Sequence, residues 1–447
     1  MCDTWVALKD ATRNNTVLFA KNSDRPAGEC QVLGYSPPRQ PDSTRSVQCA
    51  YVSVDDAPGA LATMGCRPYW CWGYETGVNE AGVVGGNTAI FTKSLHVEET
   101  RRALGLTGMD LLRFGLERGA SAEKAVEEIV ALLERYGQWG SAVRGKDHAE
   151  GAYENAFLLA DGKEAWILET SGRFWVARQA DRGCLALSNQ PTIRDRWTNT
   201  CPHLQDMASV MGWWRPEDGP FDFARVFGDH EHYSRQVSHI RWKRVLQLLD
   251  EQKGAIDEIS AMRVLRDHLE GTFLGGPQFH PFLPDFQTIC MHDAPSGFTW
   301  GNTATSFIAE IDPAGSAPPR LWISYQPPCT SAFIGFGWTD ALPDRLTRAG
   351  TAGLGVGAPV DAPVDEFAPT SLWWRLHRVV QSVEQAPDTR YREVRERFGD
   401  IEAANVEAVS AAHQRGVTGR GWTGVIDEQL DRLMGGIDHL EKRWHLA

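Results

Sequence analysis

The sequence predicts an α+β fold in which sandwiched sheets are layered with helices. Two observations carry this. The β-prone runs fall in two groups, and the helical runs are segregated between and after them instead of alternating strand by strand. The 447 residues suffice for a sizeable core: at roughly 150 residues per domain they make one large domain or two to three ordinary ones. With 42% hydrophobic and 23% charged residues, the composition excludes disorder and fibrous repeats. Seventeen tryptophans point to an aromatic-rich interior or cleft.

The elements follow in order. Residues 4–8 (TWVAL) and 16–20 (TVLFA) are short strands around the turn-forming KDATRNN, hence a hairpin at the start of the chain. A turn centred near residue 13 sets Cys2 opposite the stretch Asn22-Ser23-Asp24. Residues 77–88 read as a Gly-rich turn and a buried strand. Thr107 and Asp110 form a capping box that opens a helix. Ser121 caps the next, with Ala125, Ile129, Leu132 and Leu133 on one face. A meander runs through NAFLLA (155–160), an Asp161-Gly162 turn, AWILET (165–170), FWVARQ and CLALSN. Helical runs cover 237–250 and 256–270, and a second strand set 304–311 and 321–336. Residues 338–367, rich in Gly, Ala, Pro and Asp, read as a linker or surface excursion, and 368–447 as a C-terminal helical segment.

Charge and cysteines exclude several classes. Forty-five basic against 58 acidic residues leave a net charge of −13, which offers no field for nucleic acid or anionic membranes. No apolar run reaches the length of about 18 residues that a membrane span needs. The start of the chain lacks the basic and apolar regions of a secretory signal. Nine cysteines without a CxxC, in so long a chain, imply neither a disulfide framework nor a zinc finger, so a cytoplasmic location is expected. The histidines at 230, 232 and 239 lack metal-ligand spacing, and no metal or cofactor is expected. Cys329 reads as a second thiol of the site or as a buried inert cysteine, the latter preferred.

The chemistry centres on Cys2. Trimming of the initiator methionine, usual before a small residue, makes it the N-terminus and joins a thiol nucleophile to a free α-amine. With a pKa of roughly 7.7–8.0 that amine is a usable base near neutral pH, and it takes the place of the histidine in other nucleophile pairs. The arrangement calls for an acid to orient the amine and a cation to favour the thiolate. Asp24 and Lys21, returned by the hairpin, have those charges.

Here the chain resembles a known family. Cys2-Asp3-Thr4, Lys21-Asn22-Ser23-Asp24-Arg25-Pro26, Asn79-Glu80-x-Gly82 with Asn87, Glu164 to Thr170, Leu187-Ser188-Asn189-Gln190 and Pro328-Cys329-Thr330-Ser331 are similar to the motifs of the secernin/C69 dipeptidase family. That family in turn resembles the penicillin V acylase and bile salt hydrolase branch of N-terminal-nucleophile hydrolases. The resemblance implies a four-layer αββα sandwich over residues 2–337 and hydrolysis of amide bonds. It makes Cys2 the nucleophile and Asp24 the partner of its amine. Lys21 stands where the acylase branch carries arginine, keeping the charge without the bidentate fork. Asn87 and Asn189 match positions that supply oxyanion or amine contacts. Arg241 matches a later arginine, with Arg235 its rival.

The implied partner is a small peptide or N-acyl amide. For a dipeptide, Arg25, Arg67 and Arg241 are the candidates to meet its carboxylate and Glu75 its amine. Glu164 and Glu169 read as surface residues of a hairpin. Two other functions stay open: a non-catalytic scaffold on the same fold, and acyl transfer to an amine acceptor. Homo-oligomerisation is also open.

Overall fold

The computed structural model describes residues 1–56, 58–98, 101–233, 236–274, 288–293, 301–350 and 366–446. Its early strands are β1 (Cys2–Ala7), β2 (Val17–Arg25), β3 (Gln31–Ser36), β4 (Ser46–Gln48), β5 (Ser53–Asp55), β6 (Thr63–Pro68), β7 (Thr76–Asn79) and β8 (Val84–Ile90). The later ones are β9 (Glu154–Ala160), β10 (Ala165–Ser171), β11 (Phe174–Ala180), β12 (Cys184–Leu187), β13 (Asn199–Thr200), β14 (Asn302–Ile311), β15 (Arg320–Tyr325) and β16 (Ile334–Gly337). One sheet has the order β12-β1-β2-β14-β15-β16, the other β13-β11-β10-β9-β8-β7-β6-β3, and β4 and β5 form a separate ribbon.

The layers explain the burial. β1, β2 and β14 are buried at every position, because one face meets the second sheet and the other meets helices. Helices Gly108–Arg118 and Ala122–Tyr136 cover the outer face of the second sheet. Their starts are the expected ones, a Thr107–Asp110 capping box and a Ser121 cap. Helices Gln236–Glu251 and Glu258–Leu265 cover the first sheet along β12, β1, β2 and β14. Helices Leu372–Gln385, Pro387–Gln414 and Trp422–Arg443 continue that outer layer over β15 and β16. The result is helix, sheet, sheet, helix, the four-layer α+β sandwich implied by the motifs.

Several elements differ from expectation for local reasons. The helix expected over 256–270 stops at Leu265, and Leu269 takes a left-handed φ of 66°. The Asp267 carboxylate accepts from the Leu269 amide at 2.9 Å and is clamped by Arg244 at 2.6 Å, which fixes the exit. The C-terminal helical stretch is broken at Pro387, which opens a new helix where its missing N–H costs nothing. Of the expected excursion over 338–367, residues 351–365 lie outside the described residues. Glu169 is not on the surface: it is fully buried in β10 and accepts from Thr192 N at 2.6 Å, Thr192 Oγ1 at 2.7 Å and Ile193 N at 3.0 Å. It thereby pins the segment that follows β12, which carries Asn189. The tryptophan pair 373–374 is core, with Trp373 Nε1 donating to Ala304 O at 3.0 Å.

Candidate active site

The β1–β2 register sets Cys2 opposite Ser23. One residue earlier, Met1 and Asp24 exchange both backbone hydrogen bonds, at 3.0 and 2.8 Å. The chain's start and the sequence-distant Asp24 are therefore neighbours, as the hairpin argument requires. Side chains from both sheets converge there. Glu75, just before β7, accepts from Lys21 Nζ at 3.2 Å and from Arg25 Nη1 at 3.0 Å, and its Oε2 lies 3.8 Å from Cys2 Sγ. Lys21 Nζ also donates to Ser23 Oγ at 2.7 Å. The lysine reaches this point by passing Gly86: a Cβ there would stand 2.6 Å from Lys21 Cδ, so a glycine keeps the space between the sheets open.

A second group holds the backbone of Cys2. Its nitrogen donates to Asn189 Oδ1 at 3.1 Å, and Asn189 Nδ2 donates to Ala89 O at 2.8 Å, which fixes the amide's orientation. Arg241 Nη2 donates to the same Asn189 oxygen at 2.7 Å. Arg241 Nη1 donates to Asp3 Oδ2 at 2.5 Å and to Cys2 O at 3.4 Å. Both Arg241 and Asp3 are fully buried, so the pair works as an internal clamp on the first strand.

Burial sets the electrostatics. It pushes the Cys2 thiol above its ordinary pKa, against Lys21, which favours the thiolate, while Glu75 adds to the rise. Burial alone would depress the Lys21 ammonium, but Cys2 and Glu75 hold it above its usual value. Glu75 stays below the usual carboxylate range despite burial, because Lys21 and Arg25 flank it. Asp24 is pushed up to about 6 by burial, against the attraction of the N-terminal ammonium. Its Oδ1 accepts from Thr303 Oγ1 at 2.7 Å, and its Oδ2 has no hydrogen-bond donor among the described residues.

The remaining sequence candidates fall into place unevenly. Asn87 lies on β8, where its amide turns either to Asn155 Oδ1 or, with oxygen and nitrogen exchanged, to Glu75 Oε2, each at 3.1 Å. Arg25 is committed inside the protein, donating to Glu29 Oε1 at 2.6 Å and Ala142 O at 2.7 Å besides Glu75. Glu75 is likewise tied to two internal cations. Arg67 is buried and donates to Cys71 O at 2.8 Å; burial and the nearby Arg113 push it down to about 10. Arg235 lies outside the described residues. His232 meets Asp229 at 3.0 Å, and its ring lies 4.4 Å from that of His96 at the half-exposed surface. Sequence reasoning missed Thr303 and Glu29, since isolated Thr and Glu residues carry no signal until the sheets bring them to Asp24 and Arg25.

The four-layer sandwich, with a buried cysteine at position 2 of an inner strand, is the arrangement that the motif resemblance implies. Residues 62–257 match the model described as peptidase family C69. This is the family that the motifs resemble, and the match makes the chain a hydrolase of peptide or amide bonds. The matched stretch holds Glu75, Asn87, Asn189 and Arg241, while Cys2, Lys21 and Asp24 precede it. Among solved structures the chain is similar to a mutant of the conjugated bile acid hydrolase of Clostridium perfringens, at 13% identity and a TM-score of 0.43 over 75% of this chain and 92% of that one. It is also similar to the Caenorhabditis elegans N-acylethanolamine-hydrolyzing acid amidase ortholog, at 11% identity and a TM-score of 0.34 over 69% and 92% of the two chains. Among the described residues no helix is long and apolar enough to cross a membrane.

Proposed function

We propose that the chain, once Met1 is removed, is a cysteine N-terminal-nucleophile hydrolase that cleaves the amide bond of small peptides or N-acyl amino compounds through an acyl-enzyme on Cys2. The observation that supports this best is the pair of contacts on Cys2: its nitrogen 3.1 Å from Asn189 Oδ1 and its sulfur beside the Glu75–Lys21 pair. Loss of Met1 turns that nitrogen into a primary amine already held by Asn189. Asp24 favours positive charge at the chain's start, as it does for the Met1 ammonium.

In the proposed path the amine takes the thiol proton and the thiolate attacks the substrate carbonyl carbon. The Lys21 ammonium, held beside the sulfur by Glu75, favours the thiolate. Asn189 is turned toward the amine, so Asn87 is the side-chain donor left for the developing oxyanion. The protonated amine then releases the leaving amine by giving up its proton. Water, deprotonated by the same α-amine, hydrolyses the thioester and frees Cys2. Arg241 acts through others, holding Asn189, Asp3 and the Cys2 carbonyl in place.

Since Arg25 and Glu75 satisfy each other, neither is offered as the counter-charge of a substrate terminus. The test is a panel of dipeptides and N-acyl amino acids assayed against wild type and Cys2→Ala. Turnover of at least one class by wild type and none by a folded Cys2→Ala is expected. Equal turnover by both proteins would remove the nucleophile from the proposal.

A further inference from the structure

A second cluster of reactive side chains lies outside the hydrogen-bonded group around Cys2. His268 follows the helix that ends at Leu265, Cys290 and His292 flank Met291 in the segment 288–293, and Cys329 lies in the 3-10 turn Pro328–Thr330. All four are buried, and their ligand atoms lie within 4.8 Å of one another. His268 Nε2 stands 3.1 Å from His292 Nε2, which is 3.2 Å from Cys329 Sγ and 3.7 Å from Cys290 Sγ.

We propose that His268, Cys290, His292 and Cys329 form a structural zinc site. Two thiolates and two imidazoles are the ligand set zinc prefers over hard cations. With Zn–N near 2.0–2.1 Å and Zn–S near 2.3 Å, a tetrahedron has edges of about 3.3–3.8 Å, close to the three distances from His292 Nε2. Four protein ligands leave no open position, so the ion is structural and takes no part in the hydrolysis. Outside the ligands, Glu270 Oε1 lies 3.4 Å from His268 Nδ1 and Glu270 Oε2 accepts from the His268 backbone amide at 2.7 Å. A carboxylate on the far nitrogen is how ligand imidazoles are commonly oriented. A cavity of about 810 Å³, lined by four carboxylates and four arginines, reaches Cys329 and gives an ion a polar path to the cluster.

The ion would join three segments far apart in sequence and brace the candidate active site. Met291, between two of the ligands, donates from its amide to Thr303 Oγ1 at 3.0 Å and accepts from Thr303 N at 3.0 Å. Thr303 Oγ1 is the group that donates to Asp24. The site also revises the expectation of a chain without metal. Cys290-Met-His292 and Cys329 were too widely spaced to read as a motif, and only the fold brings them together.

The test uses the full chain, purified under reducing conditions without chelator or added metal. Elemental analysis is expected to give about one zinc per chain. Exchange for Co2+ is expected to give the visible d–d bands of a tetrahedral ion together with thiolate-to-cobalt charge transfer. Cys290→Ser and Cys329→Ser should each lose the metal and the charge-transfer intensity, whereas Cys184→Ser, outside the cluster, should keep both. If the ligand variants do not fold, the wild-type cobalt spectrum decides. Wild type without stoichiometric zinc and without a tetrahedral cobalt spectrum would overturn the site, and so would folded ligand variants that retain the ion.

Discussion

Replacing Lys21 by methionine tests how the thiolate is stabilised. Cys2 Sγ and Lys21 Nζ both face Glu75 Oε2, at 3.8 and 3.2 Å, so they stand at most the sum of those legs, 7.0 Å, apart. With an effective dielectric of about 20, opposite unit charges attract by about 2.4 kcal/mol at that distance and about 4 kcal/mol at 4 Å. At 1.36 kcal/mol per tenfold, loss of the ammonium disfavours the thiolate by that energy and raises the thiol pKa. Where thiolate population limits the reaction, kcat/KM near neutral pH falls by about 60- to 1000-fold. The protein should survive the change, because Glu75 keeps Arg25 at 3.0 Å and is not left as an uncompensated charge. The assay is kcat/KM against pH for wild type, Lys21→Met and Lys21→Arg, with alkylation of the Cys2 peptide by iodoacetamide followed by mass spectrometry. The methionine variant should shift both profiles upward in pH, and arginine should restore most of the loss. A Lys21→Met enzyme with the wild-type pH profile would refute the role given to this charge.

Two further outcomes follow from the geometry. Asn87→Ala should cost about 10²- to 10³-fold in kcat with little change in KM, the usual effect of removing one oxyanion donor; a loss confined to KM would place Asn87 in ground-state binding instead. Glu154, fully buried among Thr92, Ser94 and Gly172 N, is raised by burial from 4.5 to about 7. Its folded pKa lies above its unfolded one, so the folded state holds a proton that the unfolded state has lost between those values. Its contribution therefore falls as pH rises through that window, by on the order of 3 kcal/mol, and is flat above it. Melting curves of Glu154→Gln from pH 4 to 8 should show a shallower fall than wild type over this range.

Much of this architecture was legible because local signals and tertiary contacts agree. The KDATRNN turn fixed the register that sets Cys2 opposite Ser23, and Thr107 and Ser121 cap the helices expected of them. What escaped notice depends on distant partners. Glu169 looked like a hairpin-surface residue because an isolated β-hairpin has a wet face, but β10 is covered on both sides and its carboxylate is spent on Thr192 and Ile193. Arg25 and Glu75 looked available to a substrate, since sequence does not show that the two sheets pair them with each other. Arg241 is a candidate through the resemblance alone, and its burial against Asp3 appears only in the fold.

The N-terminus itself gives the most direct measurement. Intact-mass and N-terminal peptide spectra of active, purified protein, quenched during turnover of a substrate found in the panel, should show a chain beginning at Cys2 with a labile acyl adduct on that residue. Active protein that still carries Met1, or an adduct located on any other side chain, would contradict the account.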